Sequence, residues 1–373
     1  MTANGIEVLA VSAPGPDVSA LRVPHQAVAM TRAITPVRDL IALFQLIVII
    51  IRFRPDIVHT HTPKAGLLGM LAARVCRTPV RIHTIGGLPW LEATGFKRWL
   101  LKQMELLTIW ASTDTLINSI NLRTILKSEL PDLKKKILVL GKGSTNGIDC
   151  NHFSMTSLIR KEADRLRQDL RIAPDDIVFC FVGRLALHKG ITELVNAFDR
   201  IRQQNSKVHL LLTGYFEYGR EPLSQNLEKR IKEGNGITVT GLIEDVRPYL
   251  AASDVLVFPS YREGFPNVLM QAGCLGIPVI ATDINGCNEI LEGSAFGMLI
   301  PPKNMDALTN AMNSFLNDPQ SFQKKSKELR SHILTNYDQV KIWEDLLSFY
   351  RSRLHQATGL GTELPVAAND SSV

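Results

Sequence analysis

The sequence predicts an α/β protein of two doubly wound domains, each a parallel sheet covered by helices on both faces. Three observations predict it. Short apolar strand-like runs alternate with amphipathic helical stretches. That alternation breaks at the polar segment Asn146-Gly147-Ile148-Asp149 and then starts afresh. A length of 373 residues suits two domains better than one. Hydrophobic residues make up 45% of the chain and aromatics only 6%, so the cores are expected to be aliphatic.

Taken in order, residues 6–11 read as a strand and 14–16 as a Pro/Gly loop. A helix follows over 39–53, and then a short strand over 57–59 behind Pro55-Asp56. Residues 64–75 read as helix, 80–83 as strand, and Gly86-Gly87-Leu88-Pro89 as loop. An apolar helix over 97–111, a strand over 115–119, a helix over 122–129 and a strand over 136–140 complete the first domain, placed at residues 1–150. In the second domain, placed at 151–337, strands are expected over 177–182, 208–213, 237–240, 255–258 and 279–281. Helices are expected over 191–201, 223–233, 245–252 and 267–276. Three more helical stretches follow, near 307–316, 321–334 and 340–354. Residues 356–373 are small and polar and read as a disordered tail.

Composition narrows the function classes. The first 165 residues carry 21 Lys and Arg against 12 Asp and Glu, while the remainder carries 21 against 24. A basic first half suits an anionic partner, whether nucleic acid, a phosphate-bearing acceptor or an anionic membrane face. No nucleic-acid-binding motif accompanies the charge, so nucleic acid is not expected. The five cysteines show no C-x-x-C pair and no metal spacing, and Cys180 and Cys274 lie in apolar runs. Free thiols, no metal site and a cytoplasmic location are expected. The first residues are polar, so no signal peptide is expected. The longest apolar run, 40–51, is too short for a bilayer span of about 20 residues and reads as a buried helix.

Ligands of open parallel sheets sit at the carboxyl ends of the strands. After Val182 come Gly183-Arg184 and then Lys189-Gly190 at a helix start. The glycines allow close backbone approach, and two cations beside a helix N-terminus favour a diphosphate. After Phe258 comes Pro259-Ser260-Tyr261-Arg262-Glu263-Gly264-Phe265-Pro266-Asn267, entering a helix. The N–H groups of Phe265 and Asn267 can face an anion. Glu263, an acceptor-only side chain, suits the hydroxyls of a sugar better than a phosphate. The plainer alternative is a carboxylate favoured by the helix dipole.

These segments resemble the retaining glycosyltransferases of family 4. The resemblance is carried by Val182-Gly183-Arg184…Lys189-Gly190, by Thr240-Gly241, and most specifically by Glu263-Gly264-Phe265-Pro266-Asn267-Val268-Leu269-Met270-Gln271-Ala272-Gly273. Gly276-Ile277-Pro278-Val279-Ile280-Ala281, Asn146-Gly147-Ile148-Asp149 and Pro55-Asp56-Ile57-Val58-His59 also fit. It spans roughly residues 36–355. Pro63-Lys64-Ala65-Gly66 and Gly87-Leu88-Pro89 are similar to the subgroup that builds bacterial surface polysaccharides, such as capsule and lipopolysaccharide, on a lipid carrier.

The resemblance implies a GT-B architecture, two Rossmann-like domains facing a cleft, with a last helix, 338–355, completing the first domain. It implies that Arg184 and Lys189 bind the donor diphosphate and that Glu263 holds the transferred sugar, these three being the catalytic set. Gly183, Gly214, Gly264, Phe265, Pro266, Asn267, Val268 and Gln271 would complete the donor site. No cofactor and no metal are implied, since cations and helix ends neutralise the leaving group. The implied reaction moves a hexose or N-acetylhexosamine from a UDP-sugar to a lipid-linked saccharide with retention of configuration. A sugar-nucleotide 2-epimerase on the same fold and a truncated, inactive remnant are the alternatives.

Three departures from the family pattern stand out. The family has a second Glu seven residues after the first, whereas Gln271 stands eight after Glu263, which implies weaker or altered ribose binding. A His usual in the loop after the strand at 80–83 is replaced by Gly86. The candidates left on the acceptor side are His59, His61, Lys64, His83 and Gly86 itself. Family members open with a strand, a Gly-rich loop and a helix, whereas this chain reads as starting just after them, so its first domain is expected to lack a first strand and helix. Finally, Phe96-Lys97-Arg98-Trp99-Leu100-Leu101-Lys102 puts basic and apolar residues on one helix. That pattern suits peripheral contact with the anionic inner face of the cytoplasmic membrane as well as ordinary core packing.

Overall fold

The structure, a computed structural model, describes all residues except 16–17, 19–20, 32–33, 132, 134–136, 220 and 360–373. It divides into two compact units: Met1–Thr145 together with the chain from Ile342 onward, and Asn146–Lys341. These divisions fall a few residues from positions 150 and 338. Most of the expected tail lies outside the described residues.

The first unit contains β1 (Ala10–Ser12), β2 (His25–Ala27), α1 (Pro36–Phe53), β3 (Ile57–Thr60), α2 (Pro63–Val75) and β4 (Val80–Ile85). It continues with α3 (Gly95–Ala111), β5 (Asp114–Ile117), α4 (Ile120–Glu129) and β6 (Ile137–Leu138). Proline opens α1 and α2 at the position where a missing N–H costs nothing. Arg54, in the left-handed conformation ahead of Pro55, closes α1. The Ser119 hydroxyl caps α4 by accepting the Leu122 N–H at 3.0 Å.

The second unit contains α5 (Ser157–Asp169), β7 (Ile177–Val182), α6 (Ile191–Gln204), β8 (Val208–Thr213), α7 (Gln225–Lys232), β9 (Ile237–Val239) and α8 (Arg247–Ala251). After these come β10 (Val255–Phe258), α9 (Asn267–Leu275), β11 (Val279–Thr282), α10 (Cys287–Ile290), β12 (Met298–Ile300), α11 (Met305–Asn317) and α12 (Pro319–Asn336). α13 (Gln339–Thr358) then carries the chain back. Its Leu346, Phe349, Tyr350 and Leu354 pack on Val80, Ile82 and Leu116 of the first unit. It extends to Thr358, so the first residues of the expected tail are helical.

The second unit has a six-stranded parallel sheet in the order β12-β11-β10-β7-β8-β9. Its core runs through Val178, Leu210, Leu212, Val257 and Ile280, all fully enclosed, but it is not purely aliphatic, since Phe179, Phe181, Phe198, Phe258 and Phe315 are buried with them. Three of its elements, α5, α10 (a single turn) and β12, depart from the sequence expectation. β12 was not expected, because a three-residue edge strand in Gly-Met-Leu-Ile-Pro is too short to show a period. α5 falls in what reads as a polar linker. Only Ile159 and Ala163 of it are buried, and Thr156 caps it.

In the first unit the parallel strands fall into two sheets, β1-β2 and β3-β4-β5-β6. Of the expected strand at 6–11, only its last two residues pair. Leu9, Val11 and Val58 nonetheless pack on one cluster with α1 and α2, so both sheets share a helical layer. β3 is thereby an edge strand, and none of its residues is fully buried.

The expectation of a buried helix over 40–51 is corrected. Ala42, Leu46, Ile49 and Ile50 face the core, but Val37, Leu40, Ile41, Phe44 and Ile51 form an exposed apolar stripe on the other side of α1. An all-round apolar sequence does not tell which side is covered. All five cysteines are unbridged, although the buried sulfurs of Cys150 and Cys274 approach to 2.6 Å.

Candidate functional site

In the second unit the ladder between β7 and β8 does not stop at their ends. Gly183 N–H donates to Thr213 O at 2.9 Å, Leu185 N–H to Tyr215 O at 2.8 Å, Glu217 N–H to Leu185 O at 3.1 Å and Leu187 N–H to Glu221 O at 3.0 Å. This ribbon forms because Gly214 lets the two backbones touch. At its φ of +154°, a Cβ would lie 1.8 Å from Gly183 O. The ribbon ends in a single 3-10 turn, Leu187–Lys189, closed by Gly190 at φ +71°. There too a Cβ would strike backbone, 2.1 Å from Pro259 O. The turn is thus pressed against the segment leaving β10.

That packing brings Lys189 and Glu263 together. Lys189 Nζ lies 2.5 Å from Glu263 Oε1, with side chains 14% and 16% exposed. The hydroxyl of the fully buried Ser260 donates to the same oxygen at 2.7 Å, and Lys189 Nζ stands 5.5 Å over the Phe258 ring. Tyr261 N–H donates to His188 O at 2.8 Å, and the Tyr261 hydroxyl donates to the Glu193 carboxylate. Burial, reinforced by Glu193, pushes the phenol pKa up.

Gly264, Phe265 and Pro266 pack against Gly286, and Pro266 leads into α9 at Asn267. The Phe265 ring lies 5.4 Å from Tyr337, and Phe265 and Val268 both join the core cluster. The side chains of these two residues are structural, and their backbone remains the part available to a ligand. Gln271 is half-buried on α9.

Arg184 is held separately. Its Nη1 lies 2.6 Å from Glu217 Oε2, while Glu217 Oε1 accepts the Gly219 N–H at 3.0 Å. Arg262 Nη2 reaches both Glu221 oxygens at 3.0 Å, and His188 Nδ1 also contacts Glu221. Burial lowers the His188 pKa, helped by Arg262. At Glu221 the opposing effect of burial is outweighed by Arg262 and His188, which hold its carboxyl low. Arg262, Glu217, Glu221 and Ser260 were not singled out from the sequence, because their partners are set by the course of the ribbon.

The first unit gathers its own group at the carboxyl ends of β3 and β4, where Thr60 pairs with His83. His59 Nδ1 contacts the Tyr350 hydroxyl on α13, and its Nε2 lies 2.7 Å from Thr84 Oγ1. The His61 ring lies against His59, centroids 4.2 Å apart and tilted by 35°. Burial depresses the pKa of both, and neighbouring His61 and His83 depress His59 further.

His83 does not occupy the ligand-facing place expected of it. It is 2% exposed, lies 2.9 Å from Thr60 Oγ1, and is pressed by Gly66, whose Cβ position would fall 2.4 Å from the ring. Its Nε2 stands 3.8 Å from Glu105 Oε1, a buried carboxylate on α3. Burial pushes Glu105 up to about 7 and His83 down to about 4. Lys64 is paired with Asp39 at 2.7 Å. Burial would raise the Asp39 pKa, but Lys64 and Thr35 more than offset it and keep the carboxyl low. Gly86 is open, its nearest neighbour being Asn118 Nδ2, 3.9 Å from a built Cβ.

Comparison with known proteins bears on the family and the fold. The family described as Glycosyl transferase 4-like domain matches residues 1–117, and that described as Glycosyl transferases group 1 matches residues 176–318. The chain is 29% identical over 333 residues to the capsular polysaccharide biosynthesis glycosyltransferase CapM of Staphylococcus aureus, covering 89% of this chain and 86% of the relative. It is 28% identical to the UDP-Gal:alpha-D-GlcNAc-diphosphoundecaprenol alpha-1,3-galactosyltransferase of Escherichia coli, covering 86% and 81%. Among solved structures, Anabaena HepE in complex with UDP and glucose superposes with a TM-score of 0.78 at 20% identity, over 92% of this chain and 91% of that one. A glycosyltransferase from Rickettsia africae superposes at 0.76 and 19% identity, covering 94% and 91%. Two Rossmann-like units with parallel sheets and these two matched domains mark the chain as a member of the GT-B glycosyltransferases of the group 1, family 4-like kind.

Proposed function

We propose that the chain transfers a hexose or N-acetylhexosamine from a UDP-sugar to a saccharide on a polyprenyl-diphosphate carrier, with retention, in the assembly of a bacterial surface polysaccharide. The observation that carries this reading is the Lys189–Glu263 contact at the carboxyl edge of the second sheet. A cation and a carboxylate held together there suit a ligand that is anionic at one end and hydroxylated at the other. Arg184 and Lys189 take the charge that develops on the diphosphate as the glycosidic bond breaks. Glu263, released from Lys189 by the incoming phosphate, accepts hydroxyl hydrogen bonds from the sugar. Backbone at Gly183, Gly214, Gly264, Phe265, Pro266, Asn267 and Val268 lines the approach, and Gln271 takes the ribose. With these cations in place the leaving group is neutralised without a resident metal, so chelation with EDTA leaves turnover unchanged.

His59, His61, Lys64 and Gly86 serve the acceptor side, His59 being oriented by Tyr350 and Thr84. Membrane contact at the inner face is supported by the exposed Phe96, Trp99, Leu107 and Trp110 of α3 and by the apolar stripe on α1. No helix among the described residues is long and apolar enough to cross a membrane, so such contact would be peripheral.

The test is turnover of a panel of UDP-sugars with a synthetic polyprenyl-diphosphate-linked acceptor, with NMR of the product anomer. Lys189→Ala and Glu263→Ala, folded by circular dichroism, should abolish it. Unchanged rates in either variant defeat the assignment. Isomerisation of the donor with no acceptor present would instead identify an epimerase. Donor binding without any turnover would identify an inactive remnant.

A further inference from the structure

Among the described residues, three cations of the candidate donor site each have a carboxylate of their own. Arg184 faces Glu217, Lys189 faces Glu263 and Arg262 faces Glu221. The site is therefore close to neutral in side-chain charge, although it presents cations to a diphosphate. Two of the three carboxylates come from one segment, the β8 side of the ribbon, and neither belongs to the motifs that hold donor.

Glu217 is the more firmly built of the two. Its backbone N–H is bonded to Leu185 O, one carboxylate oxygen accepts the Gly219 N–H and the other meets Arg184. The Gly219 N–H thus holds the carboxylate in place beside Arg184. Any phosphate that binds Arg184 therefore binds beside a fixed negative charge.

The consequence depends on the charge of the ligand. A free nucleoside diphosphate carries about one more negative charge than its sugar ester, because its terminal phosphate ionises a second time near pH 6 or so. A fixed carboxylate thus penalises the product more than the substrate. Building on the donor-site reading above, we propose that Glu217 is a specificity-determining residue that favours the sugar nucleotide over the nucleoside diphosphate, and so promotes product release. Glu217 does this while holding the Arg184 fork in place.

The experiment is calorimetric binding of UDP and UDP-glucose to the full chain, to Glu217→Gln and to Glu217→Asp, with thermal melts to show that each variant is folded. UDP inhibition of turnover provides the kinetic reading of the same quantity. In Glu217→Gln, affinity for UDP should rise about three- to tenfold, while affinity for UDP-glucose rises by less, about two- to threefold. Glu217→Asp keeps the charge and should keep the native ratio of the two affinities. Weaker binding of both ligands to Glu217→Gln would make the residue a mere support for Arg184. Equal tightening of both would make it an unselective competitor, and an unchanged ratio would remove its role altogether. Each of these results overturns the proposal. If the native chain binds neither ligand, the donor reading itself fails and this one falls with it, a result distinct from native binding with an unaltered ratio.

Discussion

Replacing Lys189 with Met and Glu263 with Gln, singly and together, separates what this pair does for the fold from what it does for a ligand. The two side chains are 14% and 16% exposed and in direct contact at 2.5 Å. At an effective dielectric of about 20, charges roughly 3 Å apart attract by about 5 kcal/mol, and most of this is offset by taking both groups out of water. The net worth of the pair is small, but breaking it is not. Lys189→Met leaves Glu263 without its cation in a pocket where the Ser260 hydroxyl remains its donor. We expect this to cost about 2–4 kcal/mol. In the double variant neither charge remains, so its loss should fall short of the sum by about 1–3 kcal/mol. For a unit of this size that corresponds to a fall in Tm of roughly 5–12 °C for the single variant, with partial recovery in the double. Differential scanning calorimetry without ligand reads it directly. Additive losses would mean that the two side chains are not coupled, and the geometry on which the donor site rests would be refuted. Turnover should be lost in all three variants, so recovery of stability without recovery of activity is the signature of a site rather than of a staple.

Gly214→Ala should destabilise the second unit by roughly 3 kcal/mol or more, seen as a lower Tm, because the new methyl would sit 1.8 Å from Gly183 O. The buried pair in the first unit predicts a pH effect of two signs. Glu105, raised from 4.5 to about 7, takes up a proton on folding and so removes stability as pH rises from 4.5 to 7. His83, lowered from 6.5 to about 4, removes stability as pH falls from 6.5 to 4. Glu105→Gln should therefore raise the Tm of the first unit at pH 8 and leave it nearly unchanged at pH 4; no gain at pH 8 would show that the carboxylate is not desolvated. Diamide, a thiol oxidant, should join Cys150 and Cys274 with loss of their two thiol protons, so that titratable thiols in denaturant drop from five to three. Peptide mapping that finds another pairing would count against the contact. Trp99→Ser with Phe96→Ser should reduce flotation with anionic vesicles at least severalfold without changing UDP binding.

Much of the candidate donor site is legible in the sequence because its parts are tied to local backbone rules. Gly183, Gly190 and Gly264 lie in the loops beyond strand ends, a cation adjoins two of them (Arg184 after Gly183, Lys189 before Gly190), and the carboxylate stands just ahead of a helix start. The alternation of strands and helices likewise gives β7, β8 and β10 to the residue. What was not legible depends on chains meeting far apart in sequence. Glu217 and Glu221 acquire meaning only because the ribbon beyond β7 and β8 lies beside Arg184 and Arg262. His83 reads as a cleft residue until Gly66 of α2 is found pressed against its ring. In α1, apolar residues on every side hide the fact that only one face has a partner. β12 and α5 fail for the opposite reason, since each has too few buried positions to show a period.

The placement of charge separates the two halves of the molecule in a way that the net value of +6 conceals. At the donor edge Arg184, Lys189 and Arg262 each have a carboxylate partner, so attraction for a sugar nucleotide is expected to be local. It depends on exchanging Glu263 for phosphate at Lys189 and on adding phosphate beside Glu217 at Arg184, both at contact distance. Such an exchange is little affected by salt, because it occurs well inside a Debye length of about 8 Å. The basic surplus lies instead in the first 165 residues, where Lys64, Arg98 and Lys102 are paired to Asp39 and Glu129 but 21 basic side chains still outnumber 12 acidic ones. That surplus acts at long range and is screened by salt. Attraction of the chain to an anionic lipid surface should therefore fall steeply as ionic strength rises while donor affinity barely moves. A shared salt dependence for the two would show that one field, not two, governs both ligands.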